Sequence, residues 1–123
     1  MGYDADPEAR NAARDRGLVQ TVCDTAAAAA EKADLVILCV PVGAMGFAAD
    51  AVRSALPDGV IVSDVGSSKQ SVADTLRAAL PDITVIPAHP VAGTEQSGPE
   101  AGFAELFEGR WCILTPPDDA SET

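Results

Sequence analysis

Residues 64–69 read Asp64-Val-Gly-Ser-Ser-Lys69, and residues 83–98 read Ile83-Thr-Val-Ile-Pro-Ala-His-Pro-Val-Ala-Gly-Thr-Glu-Gln-Ser-Gly98. Both segments lead from an apolar, strand-like run into a loop that is rich in glycine and hydroxyl side chains. His89, the only histidine of the chain, lies just past the second run. Open α/β sheets carry their chemistry at the C-terminal ends of their strands. An imidazole at that point is suited to proton transfer, since it exchanges a proton near neutral pH.

Strand-like and helix-like segments alternate along the whole chain. The continuous apolar run of residues 35–40 is typical of a strand that is buried on both faces. Further strands are predicted over residues 19–22, 60–62, 83–86 and 111–114, and helices over about 6–16, 25–32, 44–56, 71–80 and 99–107. This alternation predicts an α/β fold with a doubly wound parallel sheet whose strands end along one rim. Asp4 and the loops 40–43, 64–69 and 89–98 would gather there, which is the sequence argument for a ligand site.

Composition narrows the class of protein. The 123 residues suffice for one domain or part of one, and a core with only 4% aromatic residues must be mostly aliphatic. A net charge of -11 argues against nucleic-acid binding. No apolar run approaches the ~20 residues of a membrane span, and no cysteine or histidine spacing predicts a metal site. The three cysteines are expected to be small buried side chains in a reducing compartment, so we expect a cytoplasmic protein.

Two loops are candidates for binding a nucleotide. Asp4 follows a strand end, where a dinucleotide fold uses an acid to bind a ribose diol, although it could equally be a turn aspartate. Asp6 competes for that role but is the better helix cap, because it precedes Pro7. The Val40-Pro41-Val42-Gly43 segment offers an apolar shelf for a nucleotide, or simply a proline that ends a strand.

Two further loops are candidates for binding a substrate. The Gly66-Ser67-Ser68-Lys69 turn offers N–H groups and hydroxyls for an anion or an alcohol, or it is an ordinary helix start. It lacks the spacing of a P-loop. His89 is a candidate base or a structural histidine. Because it precedes Pro90, its backbone is expected to be extended. The segment 93–98 is either a substrate loop or a polar surface loop.

Taken together, these segments resemble the prephenate/arogenate (cyclohexadienyl) dehydrogenases of tyrosine biosynthesis. The resemblance covers nearly the whole chain, and its most specific part is the His-Pro-x-Ala-Gly-Thr-Glu-x-Ser-Gly pattern of residues 89–98. It also rests on Gly2-Tyr3-Asp4-x-Asp-Pro-Glu8, on Ala33-Asp34 with the following strand to Val42, on residues 64–69 and on residues 107–116. It implies a Rossmann-like fold and NAD(P)-dependent oxidative decarboxylation of prephenate to 4-hydroxyphenylpyruvate, or of arogenate to tyrosine.

The resemblance also implies roles for individual residues. His89 matches the catalytic histidine that takes the proton of the substrate's C4 hydroxyl, and Ser67 matches the serine that binds the same hydroxyl. Gly93, Thr94 and Glu95 match the loop beside the substrate. Asp4 matches the acid that selects NAD over NADP. The remaining residues expected at the cofactor are Val40, Pro41, Val42 and Gly66.

Two departures from the family pattern define the expected domain limits. The family's first strand and GxGxxG turn have no counterpart in the sequence, and neither does its C-terminal helical domain. We therefore expect a truncated dinucleotide-binding domain over residues 1–116 and a linker over 117–123. The absent first strand would lie between the Asp4 strand and residues 35–40. A homodimer is expected only of a full-length protein.

Two other functions stay open at this stage. A related hydroxyacid dehydrogenase would use a lysine from its last helical domain as acid and base. A catalytic role of His89 would therefore argue against this alternative. A non-catalytic remnant is the second alternative, and its supporting feature is the absent glycine-rich turn. The genomic sequence upstream of Met1 tests this alternative, since an in-frame GxGxxG there would favour a misplaced start or a partial read over a true remnant.

Overall fold

The computed structural model describes residues 1–93 and 98–117. Three parallel strands form its main sheet in the order β1-β2-β3: β1 (Leu35–Leu38), β2 (Ile61–Asp64) and β3 (Thr84–Val85). Leu38 lies opposite Asp64, so the ends of β1 and β2 meet at one edge of the sheet. The predicted α/β fold with a parallel sheet is therefore confirmed.

Four helices accompany these strands: α1 (Pro7–Asp15), α2 (Ala26–Ala30), α3 (Met45–Arg53) and α4 (Lys69–Ala79). Asp6 caps α1 as predicted, because its Oδ1 accepts a hydrogen bond from the Glu8 N–H at 2.9 Å. Thr25 caps α2, because its Oγ1 accepts a hydrogen bond from the Ala28 N–H at 3.1 Å. A short 3-10 turn, Val42–Ala44, leads into α3, and α4 begins two residues earlier than predicted.

The core lies between the sheet and helices α3 and α4. Met45 of α3, Val62 of β2 and Leu76 of α4 are completely buried there. These helices present small and aliphatic side chains to the strands, which lets helix and sheet approach closely. This packing holds the start of α4 against the end of β2, where the candidate site begins.

The last part of the chain differs from the prediction. β4 (Ala88–Pro90) and β5 (Cys112–Leu114) pair antiparallel in a separate two-stranded sheet, so His89 lies within a strand and not in a loop. Antiparallel strands need no crossover helix. The predicted helix 99–107 is wrong as well: two 3-10 turns, Pro99–Ala101 and Ala104–Phe107, are separated by an extended Gly102.

The prediction that residues 35–40 are buried on both faces is also wrong. Leu35 and Ile37 are 51% and 52% exposed, while Leu38 is buried. Among the described residues, β1 has a hydrogen-bonded neighbour only on its β2 side, and α3 and α4 cover only one face. Cys39 and Cys112 are exposed, contrary to the expectation that all three cysteines are buried, whereas Cys23 is buried as expected.

The N-terminal segment pairs at a single point. A parallel bridge joins Gly2 and Val22, where a strand over residues 19–22 was predicted. The Gly2 N–H donates to the Thr21 carbonyl at 2.9 Å, and the Cys23 N–H donates to the Gly2 carbonyl at 2.8 Å. No helix in residues 1–93 or 98–117 is long and apolar enough to cross a membrane.

Candidate functional site

A completely buried carboxylate organises the end of β2. Asp64 Oδ2 accepts hydrogen bonds from the Gly66 N–H at 2.7 Å and from the Lys69 ammonium at 2.5 Å. Its Oδ1 accepts from the Ala88 N–H at 3.2 Å. A buried carboxylate is stable only when its oxygens are paired in this way. Asp64 is therefore the point where the 64–69 turn and strand β4 meet.

Lys69, the first residue of α4, completes this connection. Besides Asp64, its ammonium donates to the Ala88 carbonyl oxygen at 2.6 Å. Sequence reasoning assigned no role to Asp64 or Lys69. The available signal was an acid directly after an apolar strand, with a glycine two positions later and a lysine five positions later.

Ser67 lies in the middle of this turn and is exposed. Gly66 beside it is tightly packed, because a Cβ there would lie 3.0 Å from Asp64 Oδ2 and 3.4 Å from Val42 Cγ2. The 40–43 loop and the 64–69 turn are thus in contact, as expected. The Gly66 N–H is already used by Asp64, so it is not free to bind a ligand.

His89 is half-buried in β4, opposite Ile113 of β5. Its Nδ1 atom is completely buried and has no hydrogen-bond partner among the described residues. Buried polar atoms without partners are uncommon, and each calls for an explanation such as a catalytic role or a missing ligand. His89 directly follows Ala88, whose N–H and carbonyl both belong to the Asp64–Lys69 network.

A cavity of about 340 Å³ opens next to the His89 strand. Its lining includes Val91, Gly93, Phe103, Glu105 and Arg110, which combine apolar side chains with one negative and one positive charge. Gly93 lies at the edge of this cavity. Thr94 and Glu95, the other predicted members of this loop, lie outside the described residues.

Asp4 lies apart from this cluster, next to the Gly2–Val22 bridge. Its side chain is exposed, and its Oδ1 accepts a hydrogen bond from the Asp6 N–H at 2.8 Å. Arg10 donates to the Asp4 carbonyl at 2.5 Å and lies 5.5 Å from the centre of the Tyr3 ring. Within residues 1–93 and 98–117, no hydrogen bond joins Asp4 to the Asp64 network.

The apolar segment 40–43, which is expected to contact a nucleotide, is partly exposed. Val40 and Val42 are half-buried, and Pro41 between them is exposed, just before the 3-10 turn that starts α3. This segment follows β1 and contacts Gly66 through Val42. An exposed apolar surface at a strand end is compatible with stacking on a flat ring.

Comparison with known protein families gives a match over the full chain. Residues 1–123 match the model of the nucleotide-binding domain of prephenate dehydrogenase. Among curated proteins, the cyclohexadienyl dehydrogenase of Zymomonas mobilis is 50% identical over 114 residues, which are 93% of this chain and 39% of that protein. The chain thus spans about two fifths of the length of that relative.

Two solved structures are similar in fold. A prephenate dehydrogenase of Aquifex aeolicus in complex with hydroxyphenyl propionate and NAD+ superposes with a TM-score of 0.85 at 32% identity, covering 98% of this chain and 42% of that one. An arogenate dehydrogenase of Synechocystis has a TM-score of 0.85 at 25% identity, covering 95% of this chain and 41% of that one.

Proposed function

Because the chain belongs to the prephenate dehydrogenase family, whose nucleotide-binding domain it matches over residues 1–123, we propose that it contributes the cofactor half of an NAD-dependent dehydrogenase. The reaction is the oxidative decarboxylation of prephenate to 4-hydroxyphenylpyruvate, or of arogenate to tyrosine. The carrying observation is a single histidine, half-buried next to the Asp64–Lys69 ion pair, whose buried Nδ1 atom has no hydrogen-bond partner in the part of the chain that the structure describes.

His89 is the base in this proposal. It takes the proton of the C4 hydroxyl, so that the electron pair of the O–H bond forms the C4 carbonyl as the C4 hydride departs. NAD, when bound, accepts that hydride. Loss of the ring carboxylate as CO2 then makes the ring aromatic, and His89 returns its proton to the phenolate oxygen. A base positioned at the hydroxyl accelerates such a step by typically ~10²–10⁴-fold.

Ser67 binds the same hydroxyl and orients it toward His89. Its exposure in the turn between Gly66 and Lys69 supports this role, since its hydroxyl is accessible to a ligand. The substrate side is completed by Gly93, Thr94 and Glu95. For Gly93 the support is its position at the cavity, and for Thr94 and Glu95 it is the family resemblance alone.

For the cofactor we propose NAD rather than NADP. The exposed carboxylate of Asp4 fits a ribose diol and repels a 2′-phosphate. Val40, Pro41 and Val42 supply an apolar surface. For Gly66 the support is the family resemblance alone, since its N–H donates to Asp64. These residues fit the parts of a nucleotide site that hold the ribose and cover the flat ring. The sequence contains no GxGxxG turn that would hold the pyrophosphate.

Domain limits, assembly and location follow as further proposals. We propose that residues 1–116 belong to the dinucleotide-binding domain and residues 117–123 to a linker. A homodimer is proposed for the full-length enzyme. A cytoplasmic location agrees with Cys23, Cys39 and Cys112, which are all free thiols in the structure.

The test uses a completed enzyme, in which this chain replaces the matching segment of the Zymomonas mobilis cyclohexadienyl dehydrogenase. We expect NAD-dependent turnover of prephenate, arogenate or both, measured as NADH formation together with CO2 release. A folded completed enzyme that turns over neither substrate would contradict the proposal. Turnover of another hydroxy acid without CO2 release would favour a related dehydrogenase.

A further inference from the structure

The Asp64–Lys69 pair lies between the two residues proposed for catalysis. Ser67 is in the turn whose ends, Gly66 and Lys69, are both held by Asp64 Oδ2, at 2.7 and 2.5 Å. On the other side, Ala88 directly precedes His89. Within the described residues, the pair thus forms hydrogen bonds with immediate chain neighbours of both proposed catalytic residues and with neither of those residues itself.

The hydrogen bonds to Ala88 come from both members of the pair. Its N–H donates to Asp64 Oδ1 at 3.2 Å, and its carbonyl accepts from Lys69 at 2.6 Å. Strand β4 is therefore joined to the 64–69 turn through two opposite backbone groups of one residue. Such a two-point attachment fixes the rotation of the backbone as well as its distance, and so it fixes the direction in which His89 leaves the strand.

Burial makes this arrangement difficult to change. The Asp64 side chain is fully buried and the Lys69 side chain is 21% exposed, so neither charge can exchange its partners for water without exposing the core. Lys69 also uses two of the three donors of its ammonium within the protein. It is therefore in place to hold the backbone rather than to exchange protons with a substrate.

We propose that Asp64 and Lys69 are positioning residues, which set the distance and orientation between the Ser67 hydroxyl and the His89 imidazole before substrate binds. This role rests on the proposed function. Small misplacements of reacting groups slow the reaction strongly, because a displacement of ~1 Å can lower the rate on the order of 10²-fold. The pair therefore acts on the chemical step and only weakly on cofactor binding.

The experiment compares variants of the completed enzyme at a temperature well below unfolding. For Lys69→Met we expect kcat to fall by about 10- to 100-fold, with the dissociation constant of NAD within about twofold of the parent. The primary deuterium isotope effect on kcat, measured with substrate labelled at C4, should increase, because hydride transfer becomes the slow step. A merely structural role would change neither the isotope effect nor kcat of the folded fraction.

A matched control lies on the same helix. Leu76→Val removes one methylene from the core side of α4, where Leu76 is completely buried, and does not touch the pair. We expect it to lower the unfolding temperature while kcat stays within about twofold. An equal loss of kcat in both variants would show that activity follows stability, and that result would overturn the positioning role.

A double-mutant cycle tests whether the two residues act as a unit. We expect Asp64→Asn with Lys69→Met to lose no more kcat than the more damaging single variant, since either change already breaks the ion pair and the orientation of Ala88 needs both of its members. If the losses of kcat in the two single variants add up in the double variant, Asp64 and Lys69 do not act as a unit. If the parent completed enzyme is active and Lys69→Met keeps kcat within twofold, only the positioning role fails. If the folded parent is inactive on both substrates, the proposed function fails first.

Discussion

The ammonium of Lys69 lies 2.5 Å from the carboxylate of Asp64, which is completely buried at the end of β2. Three elements meet at this contact: the last residue of β2, the first residue of α4 and, through Ala88, the start of β4. The ion pair therefore stabilises the joint between the parallel sheet and the antiparallel pair of strands. The proposed catalytic residues lie on either side of that joint.

Removal of this carboxylate should destabilise the fold strongly. Asp64→Ala removes the acceptor of the Gly66 and Ala88 N–H groups and one of the two acceptors of the Lys69 ammonium, which costs about 3 kcal/mol in the free energy of unfolding. Asp74→Ala on the exposed face of α4 is the control and should stay within about 0.5 kcal/mol. Urea unfolding of the completed enzyme measures both, and a loss below about 1 kcal/mol for Asp64→Ala would contradict this energetic role.

Gly66 should tolerate no side chain. In Gly66→Ala the new Cβ lies 3.0 Å from Asp64 Oδ2 and 3.3 Å from Val72 Cγ2, so the turn must shift at a cost of about 1–3 kcal/mol. Gly43→Ala is the matched control, because nothing lies within 4 Å of its Cβ position. Thermal unfolding midpoints of the two variants compare them directly, and equal midpoints would argue against the tight packing of the turn.

Loss of His89 should affect turnover and not cofactor binding. We expect His89→Asn to lower kcat by about 10²–10⁴-fold in the completed enzyme, because the base acts in the transition state. The dissociation constant of NAD, measured by fluorescence titration, should stay nearly unchanged. Turnover close to that of the parent would exclude His89 as the base.

Asp4 should control the choice between NAD and NADP. Asp4→Ser removes a charged acceptor for the ribose, and we expect kcat/KM with NADP relative to NAD to rise by roughly tenfold or more. Arg10 lies beside Asp4, where its guanidinium donates to the Asp4 carbonyl. The control is Asp6→Asn, which keeps the cap of α1 and should leave cofactor preference unchanged. A change in Asp6→Asn but not in Asp4→Ser would move the role to Asp6.

The 123-residue chain by itself should self-associate. β1 has a neighbour only on its β2 side within the described residues, and Leu35 and Ile37 are about half exposed. Unpaired strand edges with apolar side chains favour intermolecular pairing. We expect oligomers in sedimentation velocity, fewer of them in Ile37→Lys, and neither measurable NAD affinity nor dehydrogenase activity. A monomer that binds NAD at micromolar concentration would contradict this expectation.

Local sequence was enough to specify the parallel sheet and the helices around it. The apolar run around Val62, the cap at Asp6 and the hydrophobic spacing of α4 act over a few residues, and neighbours along the chain determine them. The same local signals predicted that the 40–43 and 64–69 loops meet, because parallel strands end at the same edge of the sheet.

Only the tertiary structure decided the rest. The antiparallel pairing of β4 with β5, the exposed face of β1 and the burial of Asp64 all depend on contacts between segments far apart in the chain. The local signal at Asp64, an acid at a strand end with a lysine five positions later, does not say whether that acid faces solvent or is buried against a distant backbone. The difference is the solvation free energy of the charge, and that is set by what packs around it.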